Sequence, residues 1–347
     1  MTIKVYYYFI ILLGLLCSCN TGINKETIEK KENQLKALII DGENNHGIWP
    51  KTTMMMKEFL EETGMFRVDI SRKAYTWQGG AHNVKDLDSI TQLLTMFPLK
   101  NAKYTIVREP QEDPAFAPNF AEYDVIISNL GWKATDWPEK TKQEFENYMK
   151  NGGGLVVIHA ANNSFGNWQA YNDMIGIGGW GGRNTASGPY VYYDTNEKLQ
   201  YDPSEGGCGS HGPQSEFLIT NRAPEHPIME GLPSSWMHAK DELYERLRGP
   251  AKNMTVLATA FSAQSKNPDN GKITGTNRHE PMLSAIEYGK GRIFHSALGH
   301  MDYSMEGLGF IVTLQRGTEW AATGKVTQEV PSDLTEGNAI SVRKWDK

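Results

Sequence analysis

Thiols are almost absent from this chain, which carries 3 cysteines in 347 residues. Two of them, Cys17 and Cys19, lie in the amino-terminal segment, so Cys208 alone is left to act or pair in the body of the protein. That excludes a disulfide framework and a cysteine-rich metal site, and leaves stability to the core. Excess positive charge is missing too. The 35 Lys and Arg against 41 Asp and Glu give a net charge of -6, without the basic face that nucleic acid requires. No His-Glu-x-x-His pair occurs, and no two histidines stand four residues apart on one helix face. A zinc site would therefore have to be assembled from separate loops. The apolar stretch from Val5 to Leu16 is too short for a comfortable membrane span.

What is present begins with that stretch. "MTIKVYYYFIILLGLLCSCN" has one early lysine, an apolar centre and small residues before Cys19, and reads as a targeting segment outside the fold. Within it, "LCSC" resembles a bacterial lipobox, with Leu16 three positions before Cys19 and Ser18 immediately before it. The resemblance implies a lipoprotein signal peptide over residues 1–19 and a lipidated Cys19. It places the protein in the bacterial cell envelope, periplasmic or at the outer membrane, touching the membrane only through its lipid. An ordinary cleaved signal is the alternative. Residues 20–34 are polar and charged, as a tether should be.

"LKALIIDG" (35–42) reads as a first strand, and "KTTMMMKEFLEET" (51–63) places Met55, Met56, Phe59 and Leu60 at helical spacing before Gly64 ends the run. "MFRVDIS" alternates like a strand, which completes a parallel crossover unit. "YDVIISNL" (123–130), the amphipathic "PEKTKQEFENYMKNGG" and "LVVI" (155–158) repeat the order. The expected fold is therefore α/β, a doubly wound, mostly parallel sheet with flanking helices and irregular Gly-rich insertions. "SEFLITN", "TVLATAFS" and "LSAIEYGKGRIFHSALG" read as further strands, the last a hairpin, and "GFIVTLQRGTEWAAT" as a closing helix. The domain is expected over residues 35–326, with 327–347 a tail. The glycines of "GIGGWGGRN" and "SEGGCGSHGP" lack the strand and helix that a phosphate cradle needs, and serve better as loops and turns.

"FENYMKNGGGLVVIHAA", "EHPIMEGLP", "KDELYERL", "EPMLSAIEYGKGRIFHSALGH" and "RGTEWAATG", in this order, resemble the ThuA-like (trehalose-utilisation) family. The fold of that family resembles the class I glutamine amidotransferases and flavodoxin-type sheets. In the wider superfamily the strand after a "GG" helix ends in an elbow carrying a nucleophilic cysteine. Here His159 occupies that place, and a thioester route to ammonia transfer has no thiol to run on. The resemblance implies a small-molecule carbohydrate as ligand and a role in carbohydrate metabolism.

Loops at the carboxyl ends of parallel strands converge on one crevice, so His46 after the first strand and His159 after the central one should face the same space. A satisfied structural histidine is the commoner outcome for either alone. His300, in "HSALGH", follows another strand, and Glu242 in "KDEL" offers a carboxylate. These four are the catalytic candidates. His211, Asp241, Tyr244, Arg278, Glu280 and Trp132 are candidates for holding substrate, and Trp49, Trp77 and Trp180 for stacking on sugar rings. A divalent metal stays open. His226, flanked by proline, is as readily a loop lock. Two functions remain: an extracytoplasmic enzyme working on a sugar or keto-sugar by isomerisation, hydrolysis or elimination, and a surface carbohydrate-binding lipoprotein without turnover. Convergence of the histidines on one pocket separates the first from the second.

Overall fold

The computed structural model describes Met1 and residues 34–77, 87–100, 102–266, 271 and 273–346. The expected signal peptide, Cys19 and nearly all of the tether lie outside the described residues. Leu35–Lys347 form one compact unit. Among the described residues no helix is long and apolar enough to cross a membrane.

Ten strands form the path of the main sheet: β1 (Leu35–Asp41), β2 (Phe66–Arg72), β3 (Val125–Ser128), β4 (Gly154–Ile158), β5 (Ser215–Asn221), β6 (Ser235–Asp241), β7 (Met254–Ser262), β8 (Arg278–Tyr288), β9 (Gly291–Ser296) and β10 (Gly337–Ile340). Their spatial order is β2-β1-β3-β4-β9-β8-β7-β5-β6-β10. From β2 to β9 every pair is parallel. Beyond β9 the neighbours β8, β7, β5 and β6 are antiparallel, and β10 joins β6 in parallel. Counting reversals from β9 to β6 returns the original direction, so the carboxyl ends of β1, β4, β9 and β6 share one edge.

Two opposed faces explain the continuous apolar strands. Helices α1 (Trp49–Glu61) and α2 (Leu87–Met96) follow β1 and β2, α3 (Glu139–Lys150) precedes β4, and α4 (Gln169–Ile175), α5 (Asp302–Met305) and α6 (Leu308–Thr323) complete the set among the described residues. On one face Ile39, Ile127 and Val156 pack with Met55 and Phe59 of α1 and Phe310 and Leu314 of α6. On the other, Ile40, Ile126 and Val157 pack with Phe145 and Met149 of α3 and Tyr171 of α4. Successive strand residues point to opposite faces, so a strand covered on both sides has no polar register, and "VIIS" and "GLVVI" are wholly buried. The doubly wound fold is thereby established, with the chain reversing its winding between β1 and β3, where such sheets open a crevice.

The segment 327–347 differs from the expected tail. β10 pairs with β6, Leu334 is buried, and the Trp345 indole donates to Glu58 of α1 at 3.0 Å. Its strand of four residues, "GNAI", is too short to carry an alternating pattern, so only its neighbour reveals it.

Candidate functional site

At the end of β4 the backbone turns sharply: His159 has a φ of 45°, a left-handed conformation that costs a bulky residue on the order of 1–2 kcal/mol. A short 3-10 turn, His159–Asn163, follows. The elbow expected after this strand is present, with the His159 imidazole at its apex. Its braces are polar and buried. Tyr171 donates to the Ala161 carbonyl at 2.9 Å, and the Asn162 amide lies 3.0 Å from His295 Nε2, whose other nitrogen donates to Ile175 at 2.9 Å. Burial pushes His295 down to about 4, as suits a neutral structural histidine.

The elbow aims His159 at side chains from three other strand ends. His46 comes from the loop after β1, His300 from the loop after β9, and Glu242 directly follows β6. Ring centroids are 5.0 Å apart for His46 and His159, 4.4 Å for His46 and His300, and 5.3 Å for His159 and His300. Glu242 places Oε2 3.7 Å from His159 Nε2 and Oε1 3.5 Å from His300 Nδ1. All four residues are buried, and one donor atom from each lies within 4.8 Å of the others. These are the residues that could hold a metal ion.

Electrostatics set their protonation. Burial alone would raise the Glu242 carboxyl, but the pull of His159 and the charges of His300 and His211 outweigh it and hold the group below the ordinary carboxylate value. Burial pushes His300 down to about 4, with His159 acting in the same direction and Glu242 opposing. Near neutrality the Glu242 carboxylate is therefore ionised and the His300 ring beside it neutral.

Above this floor opens a cavity of about 440 Å³. His46, Glu242 and Tyr244 form its base, Trp132 and Trp180 flank it, and Asn45, Asn163 and His211 supply further polar groups. Close backbone approach shapes it. A Cβ at Gly131 would sit 2.4 Å from Asn45 Oδ1, the atom that accepts the Trp132 backbone N–H at 2.8 Å, and a Cβ at Gly209 would strike the Trp180 ring at 2.7 Å. Gly209, in the second Gly-rich insertion, thus lets a wall of the cavity close against Trp180. Tyr244 lies with its ring 4.2 Å from that of His159, and burial, then Glu242, drives its hydroxyl well above the usual value, so it stays a protonated donor. His211 is the exposed member, with Nδ1 2.9 Å from the Gly212 carbonyl and 3.7 Å from Glu242 Oε1. A larger hollow of about 790 Å³ lies at the amino ends of β3 and β4, bounded by Pro118, Asp124 and Tyr148, away from this chemistry.

The structure brings together His46, His159, His300, Glu242, His211, Tyr244 and Trp132, and separates the other candidates. Asp241 is fully buried behind the pocket, not in it. Its carboxylate accepts the backbone N–H groups of Glu242 (2.8 Å), Gly299 (2.8 Å) and His300 (3.1 Å) and pairs with His238 at 2.8 Å. It is a positioning residue. Glu280 is buried under a different loop, accepting from Thr276 at 2.7 Å, and burial raises its carboxyl to about 7. Arg278 lies 3.5 Å from Asp202 and stacks on Tyr192, beside a separate cavity of about 260 Å³. Trp49 and Trp77 are buried and cannot meet a sugar. His226 accepts from the Ile228 backbone at 3.2 Å, as a loop lock does. Sequence reasoning missed Asn45 and Asn163. Their signal was adjacency, one residue before His46 and four after His159.

Comparison with known proteins follows the same lines. The family description "ThuA: Trehalose utilisation" fits residues 36–321. A ThuA-like protein from Parabacteroides merdae ATCC 43184 is 37% identical, over 89% of this chain and 98% of that one, with a TM-score of 0.73. A ThuA-like protein from Bacteroides uniformis ATCC 8492 is 20% identical over 84% of this chain and 92% of that one, with a TM-score of 0.49. A protein described as cytoplasmic from Salmonella typhimurium LT2 is 18% identical over 84% of this chain and 100% of that one, with a TM-score of 0.39. The last two are too distant to add to the first. Curated proteins give no match.

Proposed function

Because the chain belongs to the ThuA, trehalose-utilisation, family over residues 36–321, we propose that it is an enzyme acting on a sugar or keto-sugar in the cavity above His159. The observation that carries this is the convergence of three histidines and an ionised carboxylate from four strand ends on one buried floor. A binding protein needs walls but no such floor. Trp132 and Trp180 suit the flat faces of a sugar ring, and the polar groups of Asn45 and Asn163 suit its hydroxyls. Histidine and carboxylate so placed are suited to removing the proton beside a ring carbonyl, the first step of both isomerisation and elimination. The trehalose association of the family favours a disaccharide or its keto derivative. A lipid anchor on Cys19 would place the reaction in the cell envelope.

The test is a screen of the purified protein against disaccharides and their keto derivatives in D2O, read by NMR. The expected result is deuterium entering at the carbon beside the carbonyl, with or without net conversion. Tight sugar binding with no exchange and no conversion would move the protein to the non-catalytic carbohydrate-binding reading.

A further inference from the structure

We propose that His46, His159, His300 and Glu242 form a binding site for one divalent first-row transition-metal ion. The inference rests on the reading of the pocket as the reaction site and names the group on which its chemistry turns. Two observations point to a ligand at that spot. His159 Nε2 and His300 Nδ1 are both buried without a hydrogen-bond partner, although buried imidazole nitrogens are normally satisfied. Both also face the same carboxylate, at 3.7 and 3.5 Å. Bonds of 2.0–2.1 Å set neighbouring donors about 3.3 Å apart in a tetrahedral site, and about 4.2 Å apart where they lie opposite in an octahedral one. Here the donor atoms all lie within 4.8 Å of one another, with Glu242 3.7 and 3.5 Å from two imidazole nitrogens, so small side-chain rotations close them on an ion.

The supports behind the donors are those of a metal centre. His159 Nδ1 donates to the Ala297 carbonyl at 2.8 Å, which fixes the tautomer and turns the Nε2 lone pair inward. Asp241 clamps the backbone of Glu242 and of His300 together through their N–H groups. Three imidazoles and one carboxylate suit zinc, iron, manganese, cobalt or nickel, and suit calcium or magnesium poorly. An ion there has a face toward the cavity, where it would polarise a sugar carbonyl or a pair of vicinal hydroxyls. With three histidines engaged, His211 is the imidazole left to carry the substrate proton, from the mouth of the same pocket.

The test uses untagged full-length protein, stripped with chelator and titrated with Co2+ under visible spectroscopy and with Zn2+ by calorimetry. One equivalent of each should bind, Co2+ should show the d–d bands of nitrogen and oxygen ligation, and the melting temperature should rise. Glu242→Gln and His300→Asn should each weaken affinity tenfold or more, while His279→Gln, remote from the pocket, leaves it unchanged. Circular dichroism melting of each variant verifies that it is folded, and His46→Asn replaces any that is not. Absence of binding by the folded wild type overturns the proposal, as does binding that survives all of the ligand variants. Sugar conversion by a wild type that binds neither ion would overturn the metal site and keep the enzyme. Metal binding without any action on sugars would do the reverse.

Discussion

At the scale of single residues the site turns on His159. Its left-handed backbone is a conformation that asparagine tolerates well, so His159→Asn keeps the elbow while removing the ring. The apolar run "GLVVI" supplies the packing. We expect a melting temperature within a few degrees of the wild type, and turnover lower by roughly a hundredfold or more, the usual size of a lost acid, base or ligand group. Measuring both on one sample separates the cases, and a destabilised but fully active variant would return His159 to a structural role. His159 was legible in sequence because it directly follows a wholly apolar, buried strand, at the carboxyl edge where parallel sheets bind ligands. Asp241 was misread for an equally physical reason. Adjacent carboxylates at the end of a strand point to opposite sides, so of Asp241 and Glu242 one must face away, and sequence does not say which. The unbalanced surroundings decide it: Asp241 found four hydrogen-bond donors and Glu242 found imidazoles.

At the scale of elements, the doubly wound half was readable because its strands are apolar throughout and its helices are amphipathic, each ended by glycine or proline. The antiparallel half was readable as strands but not as an arrangement, since pairing order depends on which loops can close and not on local pattern. The carboxyl-terminal strand was illegible. β10 is half-exposed and short, and it is held by its register on β6 and by contacts around it, including Arg343 with Glu62 and Lys344 with Glu306. Deleting residues 327–347 should therefore expose the edge of β6, the strand that delivers Asp241 and Glu242. Loss of the buried Leu334 and of the Trp345 contacts should lower the melting temperature by roughly 5 °C or more. Such a truncation melting like the parent would show the segment to be a tail after all.

For the whole molecule, the question is where this folded unit works. Leu35–Lys347 form one compact unit, and the clustered histidines and carboxylate lie between residues 46 and 300 of it. A tether over residues 20–34 would reach roughly 50 Å if extended, far enough for the domain to stand clear of a bilayer and meet a soluble sugar. If Cys19 carries the lipid, the anchor is purely chemical: acyl chains partition into the bilayer without help from the fold. Cys19→Ala should then leave the melting temperature and the turnover per molecule of the domain unchanged while shifting the protein from the membrane fraction to the soluble one. Metabolic labelling with a fatty-acid analogue should mark the parent and not the variant. Recovery of Cys19→Ala in washed membranes in the same proportion as the parent would mean that some other surface holds it there, and would defeat the lipoprotein assignment while leaving the histidine and carboxylate site untouched.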